Sequence, residues 1–287
     1  MKKMRSTVHR LQRQPHQFIC YEEWNANAPE RVVFLHGGGQ TRWAWGGTAL
    51  ELAKRGFCVW AVDQRGHGES SWMGRGSYSL DHFVGDLEAL VLQDRRPVHF
   101  VGASLGGYIS LLLCAEHMRS WFRSLMLVDI SVTVQPKGVH RILSFMQAYP
   151  DGFESIEAAA DAVSVYLSHR KRPSSIEGLR RNLRLDNGRW YWHWDPDWLE
   201  PWDADVGIAK VQSRFEAAAK QLTIPTLLIR GLESDVVSEA DVDYLQKLVP
   251  HAKACVIGSA RHMVAGDSNH VFGEAVSSFL SELQESI

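Results

Sequence analysis

Val98-His99-Phe100-Val101-Gly102-Ala103-Ser104-Leu105-Gly106-Gly107-Tyr108-Ile109-Ser110-Leu111-Leu112-Leu113 carries the strongest structural signal in the chain. It opens as a short apolar run and closes as a helix-forming one, with the pattern G-x-S-x-G at the junction. Such a junction is a strand-to-helix turn too sharp for a side chain at either glycine. The serine between them is held at the tip of the bend, where its hydroxyl can reach a bound molecule. The five-residue pattern is short, so its surroundings have to carry the reading.

Outward from this turn, short runs rich in Val, Phe, Ile and Leu alternate with longer helical patterns. Strands are predicted at Gln17–Tyr21, Arg31–His36, Phe57–Asp63, Val98–Gly102, Ser124–Asp129, Thr226–Arg230 and Ala254–Gly258. Several are continuously apolar, as parallel strands covered on both faces must be. Helices are predicted at Trp45–Arg55, Asp81–Gln93, Leu105–His117, Glu239–Leu248 and Asn269–Leu283. This alternation implies a right-handed, mostly parallel α/β sheet with helices on both sides.

The alternation breaks between about Ser131 and Leu222, where no convincing strand is found. Helical segments at Val139–Ala148, Ile156–Leu167 and Ile208–Lys220 and the cluster Trp190-Tyr191-Trp192-His193-Trp194 fill that interval. Strand patterning resumes at Ile224-Pro225-Thr226. Residues 131–222 are therefore read as a helical lid inserted into a body made of residues 1–130 and 223–287. An insertion at the carboxyl end of an open sheet lies over the crevice where such sheets bind ligands.

The chain has 287 residues, of which 45% are hydrophobic, enough to bury one sizeable core with an insert. A net charge of −2 gives no reason to expect nucleic acid, and no apolar run is long enough to span a membrane. Lys2, Lys3, Arg5, Arg10 and Arg13 are followed by polar Gln12-Arg13-Gln14-Pro15-His16-Gln17 rather than by an apolar stretch. The start of the chain is accordingly read as a solvated basic arm and not as a secretory signal. Cys20, Cys58, Cys114 and Cys255 form no C-x-x-C pair and lie in or beside apolar segments. They are read as reduced, buried thiols of a cytoplasmic protein that is a monomer or homodimer.

Four further motifs frame the serine turn. His36-Gly37-Gly38-Gly39 follows one predicted strand, and Asp63-Gln64-Arg65-Gly66-His67-Gly68-Glu69-Ser70 follows the next. Gly231-Leu232-Glu233-Ser234-Asp235 and Ser259-Ala260-Arg261-His262 follow the last two. With Gly102–Gly106 they make a chain that resembles the α/β-hydrolase superfamily along almost its whole length, and specifically its serine hydrolases with a helical cap. The resemblance implies a doubly wound α/β fold and esterase, lactonase or carbon–carbon bond hydrolase activity on a small acyl substrate, with no cofactor and no metal.

The chemistry explains the residue types. A serine hydroxyl is a weak nucleophile at neutral pH, so a base must take its proton as it attacks. Histidine suits that task, and a carboxylate must fix its tautomer and stabilise the cation that forms. Ser104, Asp235 and His262 occur in the order nucleophile, acid, base, which is the order of this fold. His262 is singled out among thirteen histidines because it alone occupies the loop between the last strand and the last helix. Asp235 is the expected acid because it follows the strand ending at Arg230. Asp129, at the end of the preceding strand, is the alternative that some relatives use, and Glu233 lies close by.

The backbone amide of Leu105, at the start of its helix, is one expected oxyanion donor, and that of Gly38 is the other, with Gly39 as understudy. His36 is expected to bond loop backbone. Asp63, Arg65, His67 and Ser70 are expected to brace their loop rather than to react.

Five tryptophans, Trp190, Trp192, Trp194, Trp198 and Trp202, fall within thirteen residues of the insert, and Trp43 and Trp45 follow the glycine loop. Trp43, Trp192 and Trp194 are expected to wall the substrate pocket, which suits an apolar ester or lactone. Arg170-Lys171-Arg172 and Arg180, Arg181, Arg184 and Arg189 read as a solvated face, but one arginine turned inward would favour a carboxylate-bearing substrate. A serine at the bend argues against dehalogenase and epoxide hydrolase chemistry, in which a carboxylate attacks. Cofactor-free dioxygenation and a small-molecule receptor built on the same scaffold remain as rival readings. The pair His262 and His270 lacks the spacing of a metal site.

Overall fold

Eight strands form one sheet in the order β1-β2-β4-β3-β5-β6-β9-β10, with β7 and β8 apart as a two-stranded hairpin. The strands are β1 Ser6–Gln14, β2 Gln17–Trp24, β3 Arg31–Leu35, β4 Cys58–Asp63, β5 Val98–Ala103, β6 Phe122–Val128, β7 Leu183–Asp186, β8 Arg189–Trp192, β9 Thr226–Gly231 and β10 Lys253–Ile257. The helices are α1 Gly46–Lys54, α2 Leu80–Val91, α3 Leu105–Glu116, α4 Pro136–Gln147, α5 Ile156–Tyr166, α6 Ala204–Gln221, α7 Glu239–Leu248, α8 Val264–Asp267 and α9 Asn269–Glu285. This computed structural model describes residues 4–167, 176–199, 204–258, 260–262, 264–267 and 269–285.

From β4 to β10 every neighbouring pair in the sheet is parallel. The carboxyl ends of these six strands therefore share one rim. Strand order reverses at β3, which lies between β4 and β5, and a reversal of this kind opens a crevice at the rim.

Residues alternate between two cores, as period-2 strands require. Val33 and Leu35 of β3, Phe100 of β5 and Leu125 and Leu127 of β6 pack with α2, α3, α6 and α7. Val32 and Phe34, Val101, and Met126 and Val128 pack with α1 and α9 on the other side. Phe215, Ala218 and Ala219 near the carboxyl end of α6 belong to the first of these cores, and Phe215 stacks on Tyr108 of α3 at 4.0 Å.

Two expectations are corrected. Lys2 and Lys3 lie outside the described residues, and along Ser6–Gln14 the expected arm is not free but an edge strand paired antiparallel with β2. Its residues are mostly exposed, so it lacks the apolar run that marks a buried strand. Its basic residues have local partners, Arg10 over the ring of Phe18 at 4.5 Å and Arg13 with Asp86 at 2.8 Å.

The interval 131–222 does contain strands. Leu183 pairs with Trp192 and Asp186 with Arg189 across a two-residue turn, Asn187-Gly188, with φ of 45° and 80°. Two consecutive left-handed residues are what a tight hairpin turn needs, and Asn-Gly is its strongest sequence signal.

Cys20, Cys58 and Cys114 are buried and Cys255 is half-buried, all as free thiols. Among the described residues no helix is long and apolar enough to cross a membrane.

Candidate active site

Ser104 sits between β5 and α3 with φ 46° and ψ −118°, a conformation costly for any residue bearing a Cβ. Close packing enforces it. A Cβ on Gly102 would stand 2.4 Å from the carbonyl oxygen of Gly106, and one on Gly106 would stand 2.4 Å from that of Leu35. The Ser104 carbonyl accepts from the amides of Gly107 at 2.9 Å and Tyr108 at 3.1 Å. Strand, bend and helix are thereby locked, and Ser104 and His262 both border one cavity.

The carboxylate partner of His262 is Asp129, not Asp235. His262 Nδ1 lies 3.0 Å from Asp129 Oδ2. A carboxylate can only accept, so Nδ1 carries the proton and Nε2 is left as the acceptor of the neutral ring. Asp129 directly follows β6, its side chain is fully buried, and its φ is 49°. Oδ1 accepts from the amide of Gly231 at 3.0 Å, and Oδ2 also accepts from Ser234 Oγ at 2.6 Å. Asp235 is 42% exposed and pairs with Arg141 of α4 at 2.9 Å, while Glu233 pairs with Arg261 at 3.2 Å. The loop after β9 thus turns Ser234 toward β6 and sends its two acids elsewhere.

The amides of the glycine loop can be accounted for one by one. Gly37 N–H donates to Gln40 Oε1 at 3.0 Å and Gly39 N–H to His67 Nε2 at 3.2 Å. Gly106 N–H donates to the His36 carbonyl at 3.2 Å. Among the described residues, the amides of Gly38 and Leu105 have no acceptor in the protein, and both residues border the cavity. Leu105 N–H is one of the orphan donors of a helix start. Gly39, the understudy, has its donor committed to His67.

Three fully buried histidines hold this loop. His67 Nδ1 donates to the Arg65 carbonyl at 2.9 Å while its Nε2 takes the Gly39 amide. His193, just past β8, accepts from the Gly68 amide at Nδ1 (2.8 Å) and donates from Nε2 to the Gly39 carbonyl (3.2 Å). His36 Nε2 accepts from the Gln64 amide at 3.0 Å and Nδ1 donates to the Gly37 carbonyl at 2.8 Å. Burial holds all three neutral, with pKa values lowered to about 3.

The rest of the loop after β4 is structural. Arg65 forks onto Asp86 at 2.7 and 2.8 Å, and Ser70 Oγ donates to the Asp63 carbonyl at 2.5 Å. That His193 reaches across to both glycine loops has no signal in the sequence.

The cavity measures about 1610 Å³. Trp43, Trp192 and Trp194 border it, as does Trp198, whose ring edge would lie 2.6 Å from a Cβ on Gly38. Trp192 and Trp194 stack at 5.1 Å and 15°. Tyr108, Phe145 and Phe215 extend the aromatic wall and were not singled out from the sequence; their positions on helix faces carry no motif. Two arginines of the interval border the cavity, Arg214 of α6 and Arg181, whose guanidinium lies 4.5 Å from the centre of the Trp43 ring. Arg170, Lys171, Arg172, Trp202 and Ser259 lie outside the described residues. Among the described residues no group of three or more His, Cys, Asp or Glu side chains could hold a metal ion.

Comparison with known proteins agrees with this architecture. Residues 30–268 match the family model of the alpha/beta hydrolase fold. Esterase Rv0045c of Mycobacterium tuberculosis is 30% identical over 271 residues, covering 88% of this chain and 83% of that protein. Its structure superposes with a TM-score of 0.77 at 28% identity, over 96% of this chain and 92% of the other. The 2-(acetamidomethylene)succinate hydrolase of Mesorhizobium japonicum is 26% identical over 254 residues, 87% of each chain. The sn-1-specific diacylglycerol lipase of Mus musculus is 28% identical over 256 residues, 87% of this chain and 80% of its own. A solved E-2-(acetamidomethylene)succinate hydrolase shares the fold with a TM-score of 0.82 at 21% identity, over 96% of this chain and all of the other. The chain belongs to the α/β-hydrolase fold family, and it is a hydrolase.

Proposed function

We propose that this hydrolase cleaves a carboxylic ester or lactone of an apolar small molecule through an acyl-enzyme on Ser104. The observation that carries the reading is the 3.0 Å contact between His262 Nδ1 and the buried carboxylate of Asp129, with Ser104 bordering the same cavity. Asp129 takes the role of acid that the sequence had suggested for Asp235.

Ser104 Oγ attacks the acyl carbon as His262 Nε2 takes its proton. The carbonyl π electrons move to oxygen, and the amides of Gly38 and Leu105 donate to that oxyanion. Asp129 keeps Nδ1 protonated and stabilises the imidazolium. As the tetrahedral intermediate collapses, the C–O bond to the leaving group breaks, and His262 returns the proton to the departing alkoxide. Water then repeats the sequence on the acyl-serine, releasing the acid and restoring Ser104.

Residues 131–222 act as a cap over this centre. In support, α4, α5 and the end of the β7–β8 hairpin contribute Phe145, Val163 and Trp192 to the cavity wall. An aromatic wall of this kind favours apolar acyl or alcohol groups.

The test is a panel of p-nitrophenyl esters of increasing acyl length, lactones and a dienol-dione ring-cleavage compound, with Ser104→Ala as blank. Ester or lactone turnover that Ser104→Ala abolishes, together with loss of fluorophosphonate labelling, supports the proposal. Turnover of the dienol-dione alone would assign carbon–carbon bond hydrolysis instead. Labelling that survives Ser104→Ala would refute Ser104 as the nucleophile.

A further inference from the structure

We propose that Ser234 is a positioning residue for the acid: its hydroxyl holds the Asp129 carboxylate on His262. The proposal rests on the Ser104–His262–Asp129 reading above.

Proton accounting fixes the Ser234 hydroxyl. Its oxygen lies 3.1 Å from the amide of Val236 and 3.0 Å from that of Val237, and amides can only donate. A hydroxyl has two lone pairs and one proton. With both lone pairs taken by amides, the proton is directed at the remaining neighbour, Asp129 Oδ2, at 2.6 Å. The hydroxyl cannot turn away without abandoning two backbone donors.

Asp129 needs such a tether. The carboxyl torsion of aspartate is broad and roughly two-fold, so the backbone alone does not set it. Gly231 N–H fixes Oδ1 at 3.0 Å, which leaves the plane of the carboxylate to be set at Oδ2. Two donors meet at that oxygen, Ser234 Oγ and His262 Nδ1. The histidine must gain and lose a proton during turnover and approaches from a loop, whereas Ser234 is pinned. Charge-assisted hydrogen bonds are the strong ones, and this one is short and shielded from water.

The tether is specific to Ser234, because its neighbours Glu233 and Asp235 are drawn to Arg261 and Arg141.

The experiment compares wild type with Ser234→Ala, Ser234→Thr, Asp129→Asn and Ser104→Ala. Each is assayed for p-nitrophenyl acetate hydrolysis and for the rate of labelling by a fluorophosphonate. Asparagine tolerates the left-handed φ at 129. Ser234→Ala is expected to lower kcat about 10-fold with KM within about 2-fold, while Ser234→Thr, which restores the hydroxyl, stays within about 2-fold of wild type. Equal losses in Ser234→Ala and Ser234→Thr, or no loss in Ser234→Ala, would overturn the positioning role. Undiminished labelling in Ser104→Ala or undiminished hydrolysis in Asp129→Asn would instead refute the underlying triad, so the two failures are separable.

Discussion

Asp129 reaches His262 across the carboxyl rim of the sheet, from β6 to the loop after β10, with a 3.0 Å hydrogen bond to a fully buried carboxylate. Asp235 is the acid expected from the sequence and Asp129 the alternative, and the structure separates them by partner. Asp129→Asn keeps the shape but lets the side chain donate, which forces His262 into the wrong tautomer. A loss of about 10³–10⁴-fold in kcat is expected. Asp235→Asn removes a half-exposed ion pair with Arg141 and should change kcat less than about 3-fold. Ester kinetics on the two variants measure the difference, and the reverse pattern would return the acid to Asp235.

The contrast shows what was legible in the sequence. Gly102, Gly106 and the apolar runs around them revealed the sheet and the bend, because burial on two faces leaves a one-dimensional signature. Asp129 and Asp235 both follow a strand, and their difference lies in a left-handed φ at 129 and in the direction of one loop, neither of which has a periodic signal. Strand β1 stayed hidden because its exposed faces carry Arg10, Gln12 and Gln14 rather than alternating apolar residues. Asn187-Gly188 marks a hairpin turn, but its strands, Leu183–Asp186 and Arg189–Trp192, are four residues each and too short for a distinct periodic signal. Arg181 could not be chosen among its neighbours, since which side chain leans over Trp43 is set by tertiary packing.

Acid should destabilise the fold through His36, His67 and His193. Their folded pKa values of about 3 lie below the ordinary histidine value of 6.5. Between those limits the unfolded chain binds protons that the folded chain does not. Stability is therefore complete above pH 6.5 and falls as pH drops toward 3. Each group contributes up to about 1.4 kcal/mol per pH unit, so the three together give up to about 4 kcal/mol per unit. Urea unfolding at pH 7, 6, 5 and 4 measures the slope. His193→Gln, which keeps a donor and an acceptor but cannot titrate, should flatten it by about one proton; an unchanged slope would mean that His193 is already protonated in the fold.

His193 also ties residues beyond β8 to both glycine loops, through Gly68 N–H and the Gly39 carbonyl. His193→Phe fills the space and leaves two buried backbone groups unpaired. The expected loss of stability at pH 7 is about 2–4 kcal/mol, read by denaturant unfolding. A loss below about 0.5 kcal/mol would show that these groups find other partners.

Gly38 and Trp198 make a paired test of the oxyanion site. A Cβ at position 38 would stand 2.6 Å from Cη2 of Trp198, well inside contact distance. The indole is rigid and lies edge-on against His67, with ring centres 4.7 Å apart, so it cannot simply swing aside. In Gly38→Ala the loop must move instead, carrying its amide off the developing oxyanion. Loss of one such donor costs about 10²–10³-fold in kcat. Shortening the neighbour should relieve the clash, so Gly38→Ala/Trp198→Ala is expected to regain about 10-fold or more over Gly38→Ala despite losing an aromatic wall. Additive losses in the double variant, measured as kcat on a short p-nitrophenyl ester, would mean that alanine at 38 fails for a reason other than the Trp198 ring.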